Sequence, residues 1–301
     1  MRAPESWPRL GLGCAVLGTP PTELSDRDAE AVMSAAIERG IRFFDVAPLY
    51  GGGLAEERLG RALAGLPRDE YVLCTKTGHT RPYAQPPQGG RLDGRDFSQT
   101  WTRRSVETSL KRLRTDRLDL VHIHDPEDHL DACLAAHAEL SRLRDEGLVS
   151  GIGIGSNFAA PVAHLLERAD FDAFLLAGCY TLLDQTGTEL VASACARGIG
   201  VVAGGIFNSG VLAAWPQAAP KFRYAPAGED VLARTARIAA ICERHGVPIG
   251  TVALQFVLAN PAIDTVLIGP RSIAELDANL AAAKQPVPAA LWDELAPELS
   301  N

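Results

Sequence analysis

Short apolar runs recur along the chain, and each is followed by a segment in which apolar residues return every three or four positions. In the third such segment, Val106, Leu110 and Leu113 fall on one helical face, and Ser25 is suited to begin the first helix. The apolar runs predict strands at Leu10–Ala15, Ile41–Ala47, Tyr71–Lys76, Leu118–His124, Val149–Gly155, Phe174–Gly178, Gly200–Gly205 and Thr265–Gly269. The segments between them predict helices at Asp26–Arg39, Ala55–Ala64, Thr102–Arg114, Leu130–Glu146, Pro161–Arg168, Thr188–Arg197, Asp230–His245 and Ser272–Ala283.

This alternation of strands and helices predicts a parallel sheet, because each connection must cross back to the start of the next strand. Eight such units fit a closed (β/α)8 barrel, a TIM barrel of the α/β class, better than an open sheet. A chain of 301 residues is long enough for one large barrel, and no linker-like boundary interrupts the pattern. We therefore expect a single domain over residues 1–301.

Two long insertions, Thr77–Gln99 and Phe207–Gly228, are rich in glycine and proline and carry no apolar period. Long loops in a compact domain are usually functional. Both follow predicted strands, so both should lie at the carboxyl end of the barrel, where barrel enzymes hold their active sites. We expect them to be structureless lids that close over the site.

Composition excludes several classes of function. The net charge is −8, and the basic clusters lie on helical patterns with acids nearby, so nucleic acid is a poor candidate ligand. The six cysteines are scattered without a C-x-x-C pair, and no apolar run approaches the ~18 residues of a membrane span. We expect a reduced cytoplasmic protein that contacts no membrane and acts on a small molecule as a monomer or small homo-oligomer.

Polar residues stand at the ends of several predicted strands. Strand two ends at Asp45, strand three at Lys76 and strand four at His124, and Tyr50 follows strand two. Asp45 can compensate the charge of Lys76, and a nearby ammonium lowers a tyrosine pKa from ~10 by roughly 1–3 units. Such a group suits proton transfer to or from a carbonyl or hydroxyl oxygen, which His124 would orient. Because no side chain carries hydride, the constellation implies a nicotinamide cofactor.

The segments that carry these residues are DVAPLYG, LCTK, IHDP and GIGSN. In sequence and order they resemble the signature segments of the aldo-keto reductases, from Gly11 to Asn279. The resemblance implies that Tyr50 is the proton donor and acceptor, that Lys76 lowers its pKa, that Asp45 holds Lys76, and that His124 orients the substrate.

The resemblance also implies a set of cofactor contacts. The nicotinamide amide would lie near Ser156 and Asn157, and the adenosine would lie near Gly269, Arg271, Ser272, Glu275 and Asn279. Further contacts are expected from Tyr180, Gly205, Phe207, Asn208 and Gly210. A 2′-phosphate needs cations, whereas a free ribose 2′-hydroxyl suits a carboxylate. Glu275 therefore favours NAD, although Arg271 favours NADP, and we expect NAD with NADP as the alternative.

Finer segments such as AGCYTLLDQ and ALQFVLANPAI are similar to those of bacterial aldose 1-dehydrogenases that act on L-fucose or D-threo-aldoses. This similarity implies oxidation of C1 of a free aldose to a lactone. A pyridoxal 4-dehydrogenase and an NADPH-dependent aldehyde or ketone reductase are alternatives. The chain departs from these patterns in three ways: Ala177 replaces a glutamine and Gly204-Gly205 replaces a tyrosine that stacks on nicotinamide in many aldo-keto reductases, and Cys179 replaces an arginine of the subgroup.

Three other interpretations compete with this one. GLGCAVLG imitates a glycine-rich nucleotide loop, but Pro20 and Pro21 follow it where a helix should begin. His122 and His124 share one strand face and could bind zinc, yet strands five, six and eight bring no further ligands. We expect no metal, and we place His122 as a packed, hydrogen-bonded histidine below the site. A non-catalytic barrel subunit that binds nicotinamide would not need the four candidate catalytic residues together.

Overall fold

A closed parallel barrel forms the centre of the molecule. The computed structural model describes residues 7–18, 24–80 and 94–299. Within them the strands are β1 (Leu10–Gly13), β2 (Phe43–Asp45), β3 (Val72–Thr77), β4 (Leu118–His124), β5 (Val149–Ser156), β6 (Ala173–Ala177), β7 (Gly200–Gly204), β8 (Lys221–Phe222), β9 (Ala225–Pro226) and β10 (Thr265–Ile268). All except β8 and β9 form the barrel, which closes where β10 pairs with β1 and with β7. The expected (β/α)8 fold is confirmed.

Helices surround the barrel and connect its strands. They are α1 (Asp26–Glu38), α2 (Leu54–Leu63), α3 (Gln99–Leu113), α4 (Leu130–Asp145), α5 (Ala159–Leu166), α6 (Thr188–Arg197), α7 (Glu229–Arg244), α8 (Ile249–Leu258), α9 (Ile273–Ala282) and α10 (Ala289–Leu295). The Ser25 hydroxyl caps α1 by accepting from the Asp28 N–H at 3.1 Å. The sequence pattern missed α8 and α10, because α8 has no polar face and α10 covers only seven residues.

The pleat of the strands decides which side chains enter the barrel. Phe43, Cys74 and Leu120 belong to the cluster of apolar residues inside it. Side chains two residues apart in a strand point to the same face. The next inward layer therefore contains Asp45 from β2 and Lys76 from β3, both nearly inaccessible to solvent. In β4 the same period brings in His122 and then His124. The interior is apolar below and polar at its carboxyl end.

The two insertions have different outcomes. Phe207–Gly228 contains a short 3-10 turn (Asn208–Gly210) and the small antiparallel hairpin of β8 and β9, so the expectation of a structureless segment is wrong. In the other insertion, residues 81–93 lie outside the described residues, and the lid prediction for them stays a prediction. None of the described helices is both long and apolar enough to cross a membrane.

Candidate active site

A buried ion pair lies at the carboxyl end of the barrel. Lys76 Nζ donates to Asp45 Oδ1 at 2.5 Å and to the carbonyl oxygen of Val46 at 2.9 Å. Asp45 and Lys76 are 3% and 2% exposed, so neither charge has water to compensate it. Burial raises the pKa of Asp45, while the Lys76 ammonium acts against that rise. The pair fixes the direction of the lysine amine within the pocket.

Glycines shape the turn that presents Tyr50. Gly51, Gly52 and Gly53, directly after the tyrosine, have φ of 64°, 67° and 99°, in the left-handed region that glycine adopts without steric cost. A Cβ on Gly51 would lie 2.2 Å from the carbonyl oxygen of Gly18. The turn holds the half-buried Tyr50 ring with its centroid 5.0 Å from Lys76 Nζ. Residues 50–53 thus need a glycine-rich sequence to bring the phenol to the lysine.

His124 completes the group, and the four predicted catalytic residues converge. The rings of Tyr50 and His124 meet edge to face, with centroids 6.1 Å apart. Burial lowers the pKa of His124 to about 3, so the imidazole is neutral near pH 7. A neutral imidazole offers one N–H donor and one acceptor nitrogen. His124 can therefore hydrogen-bond a substrate oxygen without carrying a charge.

The pKa of Tyr50 differs from the expectation. Burial raises it well above its ordinary value, and the negative charge of Asp45 adds to the rise. The sequence analysis predicted that the Lys76 ammonium would lower the pKa of Tyr50. That ammonium is already compensated by the carboxylate of Asp45 at 2.5 Å, which leaves little net charge to favour the phenolate. In this structure Tyr50 is a phenol at neutral pH.

A second histidine and an aspartate lie beside His124. His79 Nε2 is 2.9 Å from Asp125 Oδ2, and His124 Nε2 is 3.8 Å from the same oxygen. The donor atoms of these three residues fall within 4.8 Å of one another, a spacing that a metal ion could also use. The zinc argument from His122 and His124 did not foresee this group. A hydrogen bond between His79 and Asp125 accounts for their close approach by itself.

His122 is packed inside the barrel, below the pocket, and is fully buried. A Cβ on Gly153 of β5 would lie 2.4 Å from His122 Nδ1, so the histidine requires a glycine opposite it. Burial lowers the pKa of His122 well below its usual value. The packing agrees with the expectation, but neither ring nitrogen of His122 has the expected hydrogen-bond partner among the described residues.

The residues expected at the nicotinamide amide follow β5. The hydroxyl of Ser156 donates to Glu127 Oε1 at 2.6 Å, and Asn157 Nδ2 donates to Asp125 Oδ1 at 3.3 Å. The thiol of Cys179 donates to the carbonyl oxygen of Asn157 at 3.0 Å. Hydrogen bonds to Asp125 and Glu127, which follow β4, therefore hold Asn157 and Ser156 at the pocket wall. Cys179 adds a hydrogen bond to the backbone of Asn157.

The wall after β7 has features that fit a dinucleotide. Asn208 is 3% exposed, its Nδ2 donates to the carbonyl oxygen of Gly178 at 3.2 Å, and its Oδ1 has no partner among the described residues. An unpaired buried acceptor of this kind suits a ligand N–H or hydroxyl group. Gly205 and Gly210 have φ of 61° and 98°, and a Cβ on Gly210 would meet open space.

Two aromatic residues from the predicted cofactor set lie nearby. Phe207 is half-buried at the start of the turn that carries Asn208. The hydroxyl of Tyr180 accepts from Asn260 Nδ2 at 2.8 Å, and its ring stacks on Phe256 with centroids 5.3 Å apart. Tyr180 is thus occupied by packing against α8 and the residues after it, and its cofactor contact stays a prediction.

The residues expected at the adenosine end surround the start of α9. Arg271 Nη2 donates to Glu275 Oε1 at 2.8 Å, and the backbone N–H of Arg271 donates to Glu275 Oε2 at 2.8 Å. Burial acts to raise the pKa of Glu275, but Arg271 outweighs it and holds that pKa below its usual value. Ser272 caps the helix, Gly269 is exposed before it, and Asn279 is half-buried one turn after Glu275.

Sequence reasoning missed part of this site. Asp125 and Glu127 directly follow the end of β4, so the argument from strand ends could have included them. Arg95 donates to the carbonyl oxygen of Asp125 at 2.5 Å and lies 3.5 Å from Glu127. Arg95 stands in a polar loop segment that offers no periodic signal.

Comparisons with known proteins agree with this geometry. A model of the Aldo/keto reductase family matches residues 9–296. The chain is 41% identical to D-threo-aldose 1-dehydrogenase from Pseudomonas sp, an alignment that covers 96% of this chain and 93% of the relative. It is 36% identical to pyridoxal 4-dehydrogenase from Microbacterium luteolum, with the same coverage of 96% and 93%. The holo form of an aldo-keto reductase from Bacillus halodurans superposes with a TM-score of 0.77 at 27% identity, over 98% of this chain and 93% of that one.

Proposed function

The chain belongs to the aldo/keto reductase family, and we propose that it oxidises C1 of a free aldose, of the L-fucose or D-threo-aldose type, to a lactone. The observation that carries the proposal is the placement of Tyr50 beside Lys76 and His124 at the mouth of a closed barrel. The substrate class is supported by the 41% identity to an aldose 1-dehydrogenase along almost the whole chain.

Each residue has one chemical task in this reaction. The phenolate form of Tyr50 takes the proton of the C1 hydroxyl as the C1–H bond breaks and the C1=O bond forms. A bound nicotinamide cofactor supplies the hydride acceptor. Lys76, held by Asp45 at 2.5 Å, stabilises the phenolate from its position over the ring, with Nζ 5.0 Å from the ring centroid. The neutral imidazole of His124 hydrogen-bonds the C1 oxygen and fixes its direction.

We propose NAD as the cofactor, with NADP as the alternative. Ser156, Asn157 and Asn208 would hold the nicotinamide end, and the residues at the start of α9 would hold the adenosine ribose. Within the described residues, the guanidinium of Arg271 is paired with Glu275, so its charge is compensated before any ligand arrives. A carboxylate next to the ribose matches a free 2′-hydroxyl better than a 2′-phosphate.

A second candidate function is reduction of small aldehydes or ketones. The raised pKa of Tyr50 favours it, because a phenol is the proton donor that a reduction requires. The 36% identity to pyridoxal 4-dehydrogenase supports oxidation of a non-sugar as a further alternative. A non-catalytic nicotinamide-binding subunit is disfavoured, because the four candidate catalytic side chains lie together in one pocket.

The test is turnover with NAD and with NADP, followed by the absorbance of the reduced cofactor, against L-fucose, D-arabinose, L-galactose and pyridoxal. We expect turnover with at least one sugar, faster with NAD, and none with pyridoxal. The aldose proposal fails if every sugar is inactive while NADPH reduces simple aldehydes, an outcome that would assign the chain to the reductase alternative.

The same reasoning extends to the organisation of the chain. We propose one domain over residues 1–301, supported by a single closed barrel whose strands come from Leu10 to Ile268. All six cysteines carry free thiols, which supports a reducing compartment such as the cytoplasm. A monomer or a small homo-oligomer is compatible with this organisation.

A further inference from the structure

Each polar atom of Asp125 lies within hydrogen-bonding distance of a partner. Its N–H donates to the carbonyl oxygen of Gly155 at 2.8 Å, and its own carbonyl oxygen accepts from Arg95 at 2.5 Å. Its side-chain Oδ1 accepts from Asn157 at 3.3 Å, and its Oδ2 lies 2.9 Å from His79 Nε2. The residue is 8% exposed and has φ of 49°, a conformation that is uncommon outside glycine and costs free energy. These contacts together hold Asp125 in a backbone conformation that it would not adopt by itself.

His79 is fixed by its backbone as well as by its side chain. Residues 79 and 95 form an antiparallel bridge, and the side chain of Arg95 returns to Asp125. His79 is 8% exposed, and its ring meets the ring of His124 nearly edge to face, with centroids 4.9 Å apart. The two imidazoles are therefore neighbours in the same pocket.

Asp125 determines the tautomer of His79. Burial acts to raise the pKa of Asp125, but the hydrogen bond from His79 and the charge of Arg95 act against it, and the pKa lies below its usual value, so the carboxylate can only accept hydrogen bonds. His79 Nε2 must then carry the proton that it donates to Asp125. In the neutral ring the other nitrogen, Nδ1, is left as an acceptor.

We propose that His79 is a further substrate-binding residue, whose Nδ1 accepts a hydrogen bond from the sugar hydroxyl next to C1, and that Asp125 positions both His79 and Asn157. The inference rests on the proposed function, because it requires that the C1 oxygen of the sugar is hydrogen-bonded to His124. A hydroxyl adjacent to C1 is common to ordinary aldoses and absent from their 2-deoxy analogues and from simple aldehydes. The pair of histidines would therefore recognise two neighbouring oxygens of the sugar.

Asp125 links the two halves of the pocket. One carboxylate oxygen holds His79 on the substrate side, and the other holds Asn157, which is expected at the nicotinamide amide. A change at Asp125 should therefore weaken both sugar and cofactor binding, whereas a change at His79 should weaken only sugar binding.

The test compares each sugar that is active in the panel with its 2-deoxy analogue, in the wild-type protein and in His79→Phe, which keeps an aromatic ring. We expect kcat/KM for the sugar to fall roughly three- to tenfold, mainly through KM, as for the loss of one hydrogen bond. The value for the 2-deoxy analogue should not change. His129→Phe is the matched control, since His129 lies exposed at the same mouth, and it should leave both values unchanged.

Asp125→Asn tests the positioning role of Asp125 separately from His79→Phe. This variant should fold, because asparagine tolerates the positive φ of residue 125. We expect the preference for the parent sugar to be lost and the Kd of NAD, measured by quenching of protein fluorescence, to rise. In His79→Phe that Kd should stay constant. Equal losses for sugar and 2-deoxy analogue in His79→Phe, or an unchanged preference and Kd in Asp125→Asn, would overturn the inference. Absence of turnover with every sugar in the wild-type protein would instead overturn the proposed function.

Discussion

The two ends of the pocket use the same kind of contact in opposite surroundings. At the substrate end, Lys76 and Asp45 are 2.5 Å apart and nearly inaccessible to solvent. At the proposed adenosine end, Arg271 and Glu275 are 2.8 Å apart, with side chains 57% and 41% exposed. A buried charge cannot lose its partner without a large cost, whereas an exposed charge is screened by water. The chemistry is therefore held rigidly, and the cofactor preference is open to adjustment.

The origin of the side chains explains this contrast. Asp45, Lys76 and His124 come from barrel strands, whose pleat directs them inward at fixed spacing. Arg271 directly precedes the N-cap residue of α9, and Glu275 lies in the first turn of that helix, on the outside of the barrel. Mutations at the first end should stop the reaction or unfold the protein, and mutations at the second should change only which cofactor is used.

The largest effect is expected from Tyr50→Phe. The ring and its packing remain, but the proton path is lost, so turnover should fall by roughly 10²–10⁴-fold, the usual contribution of general acid–base catalysis. The Kd of the cofactor should change little. Steady-state rates together with fluorescence titration measure both quantities.

Tyr224→Phe is the matched control for Tyr50→Phe. Tyr224 is 67% exposed at the same mouth, and its charge when ionised would raise the pKa of Tyr50. Its loss should leave turnover within a few-fold of the wild-type rate. Near-normal turnover in Tyr50→Phe, or an equal loss in both variants, would contradict the role given to Tyr50.

Comparing Lys76→Met with Arg271→Met tests the two ion pairs directly. Lys76→Met leaves the buried Asp45 without its partner, so the free energy of unfolding should fall by about 3–5 kcal/mol. Arg271→Met removes an exposed partner and should cost at most about 1 kcal/mol. Urea unfolding of both variants measures the difference. Equal losses of unfolding free energy would contradict the contrast between the buried and the exposed ion pair.

The pH dependence of sugar oxidation tests the raised pKa of Tyr50. Only the phenolate can take the proton, and a raised pKa keeps that form scarce at neutral pH. The value of kcat/KM should therefore climb roughly tenfold per pH unit from neutrality into the alkaline range. Rates at saturating NAD between neutral and alkaline pH provide the measurement. A plateau that begins below neutrality would show that the pKa is lowered instead.

The smallest effect is expected from Glu275→Gln, which frees the guanidinium of Arg271 for a 2′-phosphate. The ratio of kcat/KM with NADP to that with NAD should rise roughly fivefold, the equivalent of about 1 kcal/mol. Glu294→Gln, which breaks an exposed pair with Arg244 on another helix, is the control and should leave the ratio unchanged. A fall in the ratio for Glu275→Gln would place Glu275 away from the ribose.

Much of the fold follows from the sequence because barrel strands and amphipathic helices leave clear periods. β4 was predicted at its observed bounds, and the inward period places Asp45, Lys76 and His124 in one layer. Distances are not encoded in that period. Burial of Tyr50, together with the negative charge of Asp45, reverses the expected pKa shift of Tyr50, and the sequence pattern gives no measure of that burial.

The remaining differences have similar causes. α8 is almost entirely apolar, so no amphipathic period marks it. The insertion after β7 contains a hairpin of two-residue strands, which are too short to show an alternating apolar pattern. The group around Asp125 depends on a loop that returns to the end of β4. Its partner Arg95 comes from a segment with no periodicity, which local patterns cannot connect to the barrel.

The paired ends of the insertion after β3 also have a practical meaning. Thr80 N–H donates to the carbonyl oxygen of Gly94, and Asp96 N–H donates to that of Gly78, so the two ends are tied together next to His79 and Arg95. Residues 81–93 can therefore be exchanged as a unit between relatives, with the junctions at Thr80 and Gly94. If the lid prediction for residues 81–93 holds, such chimeras should change the substrate preference while the proton-transfer residues keep their positions.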